Sequence, residues 1–168
     1  ANAAERQTLT YAVYTGGMNV VMADLNLTFK NDEYNAFVSA KTHGFLGKLA
    51  PWSGTFETQG NFKQGDFYPD LHRSVAIWRG EDDEKNYDYD GKGNLKAFKE
   101  IEAGKEKPKK ELAADLINDT TDILSATLKV MHNLGEGGDC ASSKDIFDGK
   151  RRFALSFNPV YDEVLNSS

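Results

Sequence analysis

The chain has 168 residues, with 26 acidic against 20 basic side chains and a formal net charge of -6. That sign disfavours nonspecific attraction to phosphate backbones and anionic headgroups, so nucleic acid is excluded as an expected partner. No run approaches the roughly 20 apolar residues that a helix needs to cross a bilayer, and the length suits one ordinary soluble domain.

From the N-terminus, Ala1-Asn2-Ala3 has the small-x-small form left by a signal peptidase, which predicts an exported chain whose leader has been removed. Apolar residues then fall on alternate positions at Leu9, Tyr11 and Val13, and at Val21, Ala23, Leu25, Leu27 and Phe29. Period two predicts half-buried strands, with Gly16-Gly17 and Asn31-Asp32 as hairpin turns and a third strand from Tyr34 to Ala40. Phe45, Leu46, Leu49 and Trp52 have helix-like spacing up to Pro51 and predict a short helical turn or tucked loop over 43–52.

Strands are expected again over 54–58, 71–79, 86–89 and 95–101, separated by turns such as Lys63-Gln64-Gly65-Asp66 and Asp90-Gly91-Lys92-Gly93. Residues 102–111, rich in Lys, Glu and Gly, predict a solvated loop. Ile123, Leu124, Leu128, Met131 and Leu134 form one apolar stripe, which predicts an amphipathic helix over about 121–133, capped by Thr120 or Thr121 and packed on the sheet. A last hairpin, 144–147 with 151–157, is expected about Asp148-Gly149. The fold class is therefore mainly β: an antiparallel meander curling into an open barrel or β-spiral, with that one helix set against it.

Residues with chemical potential are few. His43, His72 and His132 lack the i+2, i+3 or i+4 partners that would place two imidazoles on one metal, so they read as solvent-facing or locally hydrogen-bonded. Ser125 is not in a Gly-x-Ser-x-Gly elbow, and no catalytic residue is nominated. Asp88-Tyr89-Asp90-Gly91-Lys92-Gly93-Asn94 begins like a calcium loop. Lys92 at its fifth position and Lys99 at its twelfth break the pattern, which leaves a hairpin turn and no metal or cofactor. Glu81-Asp82-Asp83-Glu84 reads as a charged loop tip. The adjacent Arg151 and Arg152 point to opposite faces of a strand, so one shares a face with apolar residues and wants a carboxylate such as Asp122 or Asp148. Cys140 is a lone cysteine in an exported chain, open to a free thiol, an intermolecular bridge or a partner elsewhere.

Several of these segments carry a family resemblance: Leu9-Thr10-Tyr11-Ala12-Val13-Tyr14, Gly44-Phe45-Leu46, Tyr68-Pro69, Thr121-Asp122-Ile123-Leu124-Ser125 and Phe147-Asp148-Gly149-Lys150-Arg151-Arg152. In them the chain resembles the proteobacterial periplasmic family called domain of unknown function 3108. The resemblance implies a periplasmic envelope protein of a Gram-negative bacterium, with motif residues Asp122, Ser125, Asp148, Gly149, Arg151 and Arg152 of no assigned role. It also implies one domain that lacks the C-terminal strands of a full-length member, including a second cysteine able to meet Cys140 in a disulfide.

The functional expectation is a noncatalytic protein holding a lipid or other apolar ligand in its curved sheet. Two alternatives stand beside it: an interaction scaffold for an envelope protein, and a hydrolase with unidentified carboxylates. A homodimer through an exposed strand edge or Cys140 is a further expectation.

Overall fold

The structure, a computed structural model, describes residues 4–109, 111–138 and 142–157. Ala1-Asn2-Ala3, Cys140 and the chain after Phe157 lie outside the described residues, and so do the expectations placed on them.

Eight strands run in chain order: β1 Glu5–Thr15, β2 Met18–Lys30, β3 Glu33–Thr42, β4 Trp52–Lys63, β5 Asp66–Trp78, β6 Glu81–Tyr89, β7 Leu95–Glu102 and β8 Lys105–Glu106. Each pairs antiparallel with the next, giving a meander, and β1 is not paired with β8, so no closed barrel forms among the described residues. Among the described residues three helices accompany the sheet: α1 Gly44–Leu49, where a helical turn or tucked loop was expected, α2 Ala114–Ile117, which was not expected, and α3 Ile123–Gly135. A second sheet in the order β11-β10-β9 is built from β9 Thr120–Thr121, β10 Ser142–Phe147 and β11 Arg152–Phe157, with β9 parallel to β10.

Two expectations change here. Glu81-Asp82-Asp83-Glu84 is the start of β6 and not a loop tip, because Trp78 pairs with Glu81 across the turn and Arg73 holds Glu84 at 3.0 Å. Within the expected loop 102–111, Lys105 and Glu106 pair back on Glu102 and Ile101 to form β8.

Because side chains alternate across a strand, register fixes which residues share a face. One inner row runs Leu27, Ala36, Thr58, His72, Tyr87 and Phe98 from β2 to β7, and all six are buried. α3 packs over the β2–β5 part of this row. Leu124 and Leu128 join Leu25, Leu27, Tyr34 and Ala36 in one core, flanked by the rings of Phe29, Phe62 and Phe67. Its other side, with Ala126 and Val130 also buried, faces the second sheet, where α3 touches β10. Leu134, expected in the apolar stripe, is exposed. A second core joins Tyr87, Leu95, Phe98 and Phe147, with Leu112, Leu116 and Ile117 against it.

Candidate functional site

The helix cap is Asp122, not Thr120 or Thr121: its carboxylate accepts from the backbone N–H of Leu124 and Ser125 at 3.0 and 3.1 Å. Thr120 instead donates its hydroxyl to the Ile117 carbonyl at the end of α2. Asp122 is 2% exposed and also accepts the Ser125 hydroxyl at 2.5 Å and the Thr58 hydroxyl at 2.7 Å. A hydroxyl has one proton, so both are spent on this carboxylate. It follows that Tyr34 donates to Ser125 Oγ (2.7 Å), and that His72 donates from Nδ1 to Thr58 Oγ1 (2.7 Å). Two donor chains thus converge on one buried acid, Tyr34 through Ser125 and His72 through Thr58.

Burial lowers the His72 pKa, outweighing the attraction of Asp122 at 3.4 Å and a backbone hydrogen bond at Glu57. Burial, then the Asp122 charge, pushes the Tyr34 and Tyr89 phenols far above their ordinary range. The order is Ser–Asp and Asp–Thr–His, with no imidazole on the serine. Ser125 Oγ is buried and bonded on both sides, an arrangement that seats a helix and does not present a nucleophile. Gly60 is what lets Tyr34 reach it: a Cβ there would stand 2.2 Å from the Tyr68 carbonyl and 2.9 Å from the Tyr34 ring.

The second motif fastens the C-terminal hairpin. Phe147 enters the second core, and Asp148 closes the turn by accepting from the N–H of Lys150 and Arg151 at 2.8 and 2.7 Å. Gly149 has φ +93 and lies so close to Phe98 that a Cβ would stand 2.5 Å from its ring. The two arginines separate as alternation requires. Arg152 is half-buried, gives Nε and Nη2 to Asp145 at 2.8 and 2.6 Å, and gives Nη1 to the carbonyls of Asp115 and Asn118. Its carboxylate is therefore Asp145, neither Asp122 nor Asp148. Arg151 is exposed and only 3.7 Å from Asp148.

The remaining candidates separate cleanly. His132 meets Phe62 edge-on at 5.0 Å, His43 precedes α1 at the surface, and no group of three His, Cys, Asp or Glu converges among the described residues. Asp90 accepts from the side chain and backbone of Asn94 and the backbone of Lys92, which pulls its pKa down to about 2 and makes the loop a hairpin turn.

Two cavities border α3. One, about 230 Å³, is polar, with Tyr68, Asn94, Thr121, Ser125 and Lys129 among its walls; Lys129 already binds the Gly65 carbonyl and Asp66. The other, about 270 Å³, is lined by Tyr11, Leu25, Ala36, Val38, Leu124, Thr127, Leu128 and Met131. The hydroxyl of Thr127 bonds the Ile123 carbonyl, so this wall offers no free polar group beyond the Tyr11 phenol at its exposed rim.

The family resemblance pointed to Asp122 and Ser125, and the Asp148-Gly149 turn signal to the hairpin, but neither brought in Tyr34, Thr58 and His72. Their signal was parity: Thr58 falls among Phe56, Gly60 and Phe62 on the inward positions of β4, a polar residue where an apolar one is expected.

A fold of this kind, a long meander with a helix seated on it by a buried acid, defines a mainly β-sheet protein with an apolar face. The family model described as protein of unknown function, DUF3108, matches residues 10–168, and the chain belongs to that family. No curated protein and no solved structure matches it significantly.

Proposed function

We propose that the protein binds one apolar, chain-like ligand, an acyl chain, between α3 and the inner faces of β1–β3, and that it does so as an exported protein of the periplasm. The observation that carries this reading is the 270 Å³ cavity whose wall is apolar except at its Tyr11 rim. A volume near the lower end of the about 300–1,000 Å³ of ligand sites suits a single narrow chain. The sheet floor continues away from the cavity to the small residues Ala23 and Ala40, beyond which the rings of Trp52 and Phe56 cover Gly54 and close it. At the open side, Leu9 and Val13 stand exposed on the same face as Tyr11. Apolar surface left facing water is costly, and a ligand that covers it recovers that cost.

Denaturing extraction and mass spectrometry of natively purified protein tests the reading directly, with a fluorescent fatty-acid probe as the binding assay. Copurifying lipid, and probe binding weakened about tenfold or more by Val38→Trp, are expected, since an indole fills the space a chain would take. Protein that emerges empty and leaves the probe unbound would reject it.

A further inference from the structure

We propose that the end of the sheet formed by the β1–β2 turn, α1 and the β5–β6 turn docks on the surface of a lipid bilayer. Register and backbone contacts place these three connections together. The N–H of His43 donates to the Val20 carbonyl at 2.9 Å, that of Arg79 to the Pro51 carbonyl at 3.4 Å, and Trp52 pairs with Trp78. Large apolar side chains concentrate there and face water: Tyr14 (63% exposed), Met18 (59%), Phe45 (69%), Leu49 (61%), Ile77 and Trp78. They are contributed by α1 and the strand ends at two turns, and a Cβ on Gly16, Gly17 or Gly80 would meet nothing within 4 Å, so the turns stand clear of the body. At the opposite end, the turns at Asn31-Asp32 and Gln64-Gly65 are flanked by Lys30, Glu33, Lys63 and Asp66.

The chemistry favours a bilayer over a protein partner. A shallow concavity of about 530 Å³ lies at this end among Lys41, Trp52, Ile77 and Arg79, but Tyr14, Met18, Phe45 and Leu49 stand outside it as projecting side chains, which an interface of headgroups and acyl chains accepts one by one. Trp, Tyr and Phe with Lys and Arg are the side chains that sit at that depth. Lys41, Lys48 and Arg79 supply cations at this rim, with Arg79 lying 5.7 Å from the Trp78 ring. Glu81 and Asp82 nearly balance them, and the whole chain is acidic. Docking is therefore driven by apolar insertion and not by attraction to anionic lipid. For its purpose, loading or release of a chain, the inference rests on the acyl-ligand reading; the docking itself stands on the rim alone.

Flotation of the full chain with phosphatidylcholine vesicles tests it. The expected result is cofloating protein with little change in high salt, and a blue-shifted Trp78 emission read in a Trp52→Phe background. Phe45→Ser with Leu49→Ser should weaken vesicle partition about 100-fold, at roughly tenfold for each large side chain withheld from the apolar phase. Tyr14→Ser with Met18→Ser, on a separate element, should give a similar loss. Both double variants should keep fatty-acid probe binding from solution. Wild-type protein that does not float, or variants that float as well as the parent, overturn the proposal. So does a rim whose substitution changes only the sedimenting mass, which would mark a contact between copies. Flotation without probe binding would sink the acyl reading and leave the docking intact.

Discussion

Four residues along each strand separate two rows of the same sheet face, and they have opposite fates. The row Leu27, Ala36, Thr58, His72, Tyr87 and Phe98 is wholly buried, whereas Tyr11, Ala23, Ala40, Gly54 and Ala76 form a floor of small residues that ends at exposed Tyr11. In the first row large and polar groups are consumed by the fold: α3 lies on Leu27 and Ala36, Phe147 packs on Tyr87 and Phe98, and Thr58 and His72 are tied to the α3 cap. In the second, the side chains are small, Trp52 and Phe56 close over Gly54, and Leu9, Tyr11 and Val13 at its β1 end meet water. The contrast teaches that this chain uses its buried polar chemistry for assembly while leaving part of its apolar chemistry exposed.

The sharpest way to break the first region is Asp122→Ala. It leaves two backbone N–H groups and the hydroxyls of Thr58 and Ser125 without an acceptor inside a core, and we expect a loss of about 3–5 kcal/mol in urea unfolding. A loss under about 1 kcal/mol would show that α3 is held by apolar packing alone.

Next in size, the neighbouring arginines should part company. Arg152→Ala removes the Asp145 pair and uncaps two carbonyls at α2, at a cost of about 1–3 kcal/mol, while Arg151→Ala should stay within about 0.5 kcal/mol. Equal effects would contradict the half-buried and exposed placements of the two side chains.

Acidification probes the same region more gently. The His72 pKa is lowered by burial, so the unfolded chain binds its proton more readily than the folded one. The stability contributed by neutral His72 is fully present above the ordinary histidine pKa. It is lost as pH falls below about 6.5, at no more than roughly 1.4 kcal/mol per pH unit. His72→Gln should flatten that part of the pH profile; an unchanged slope would assign it to other groups.

Much of this organisation was legible in residues. Alternation gave β1 to β3 and their turns, and the spacing of Ile123, Leu124 and Leu128 gave α3, because each of those patterns is local. The cap was misplaced by one or two residues, since Thr120, Thr121 and Asp122 all suit that position and only burial against Thr58 selects the acid. The second half of β6 was expected as a strand, but Glu81 to Glu84 were misread because their charges are paired across strands, and a cross-strand partner such as Arg73 for Glu84 leaves no mark within a short window. Lys105-Glu106 and α2 are too short to show a period at all. The partner of Arg152 was missed for a related reason: Asp145 lies opposite Ala154 in the hairpin, reached diagonally.

The smallest expected effect is the one that most sharpens the comparison. If the rim residues belonged to the folding core, replacing them would unfold the protein. If they are presented to something outside it, replacing them should leave stability almost untouched. Phe45 and Leu49 stand mostly in water, and α1 buries none of its residues. Phe45→Ser with Leu49→Ser should therefore shift unfolding free energy by no more than about 0.5 kcal/mol, the range of ordinary surface substitutions. A slight gain is equally consistent, because serine removes apolar area that water must cover. A loss near 2 kcal/mol would mean that α1 closes the upper end of the sheet as α3 closes the lower, and the two rows would then differ in degree and not in purpose.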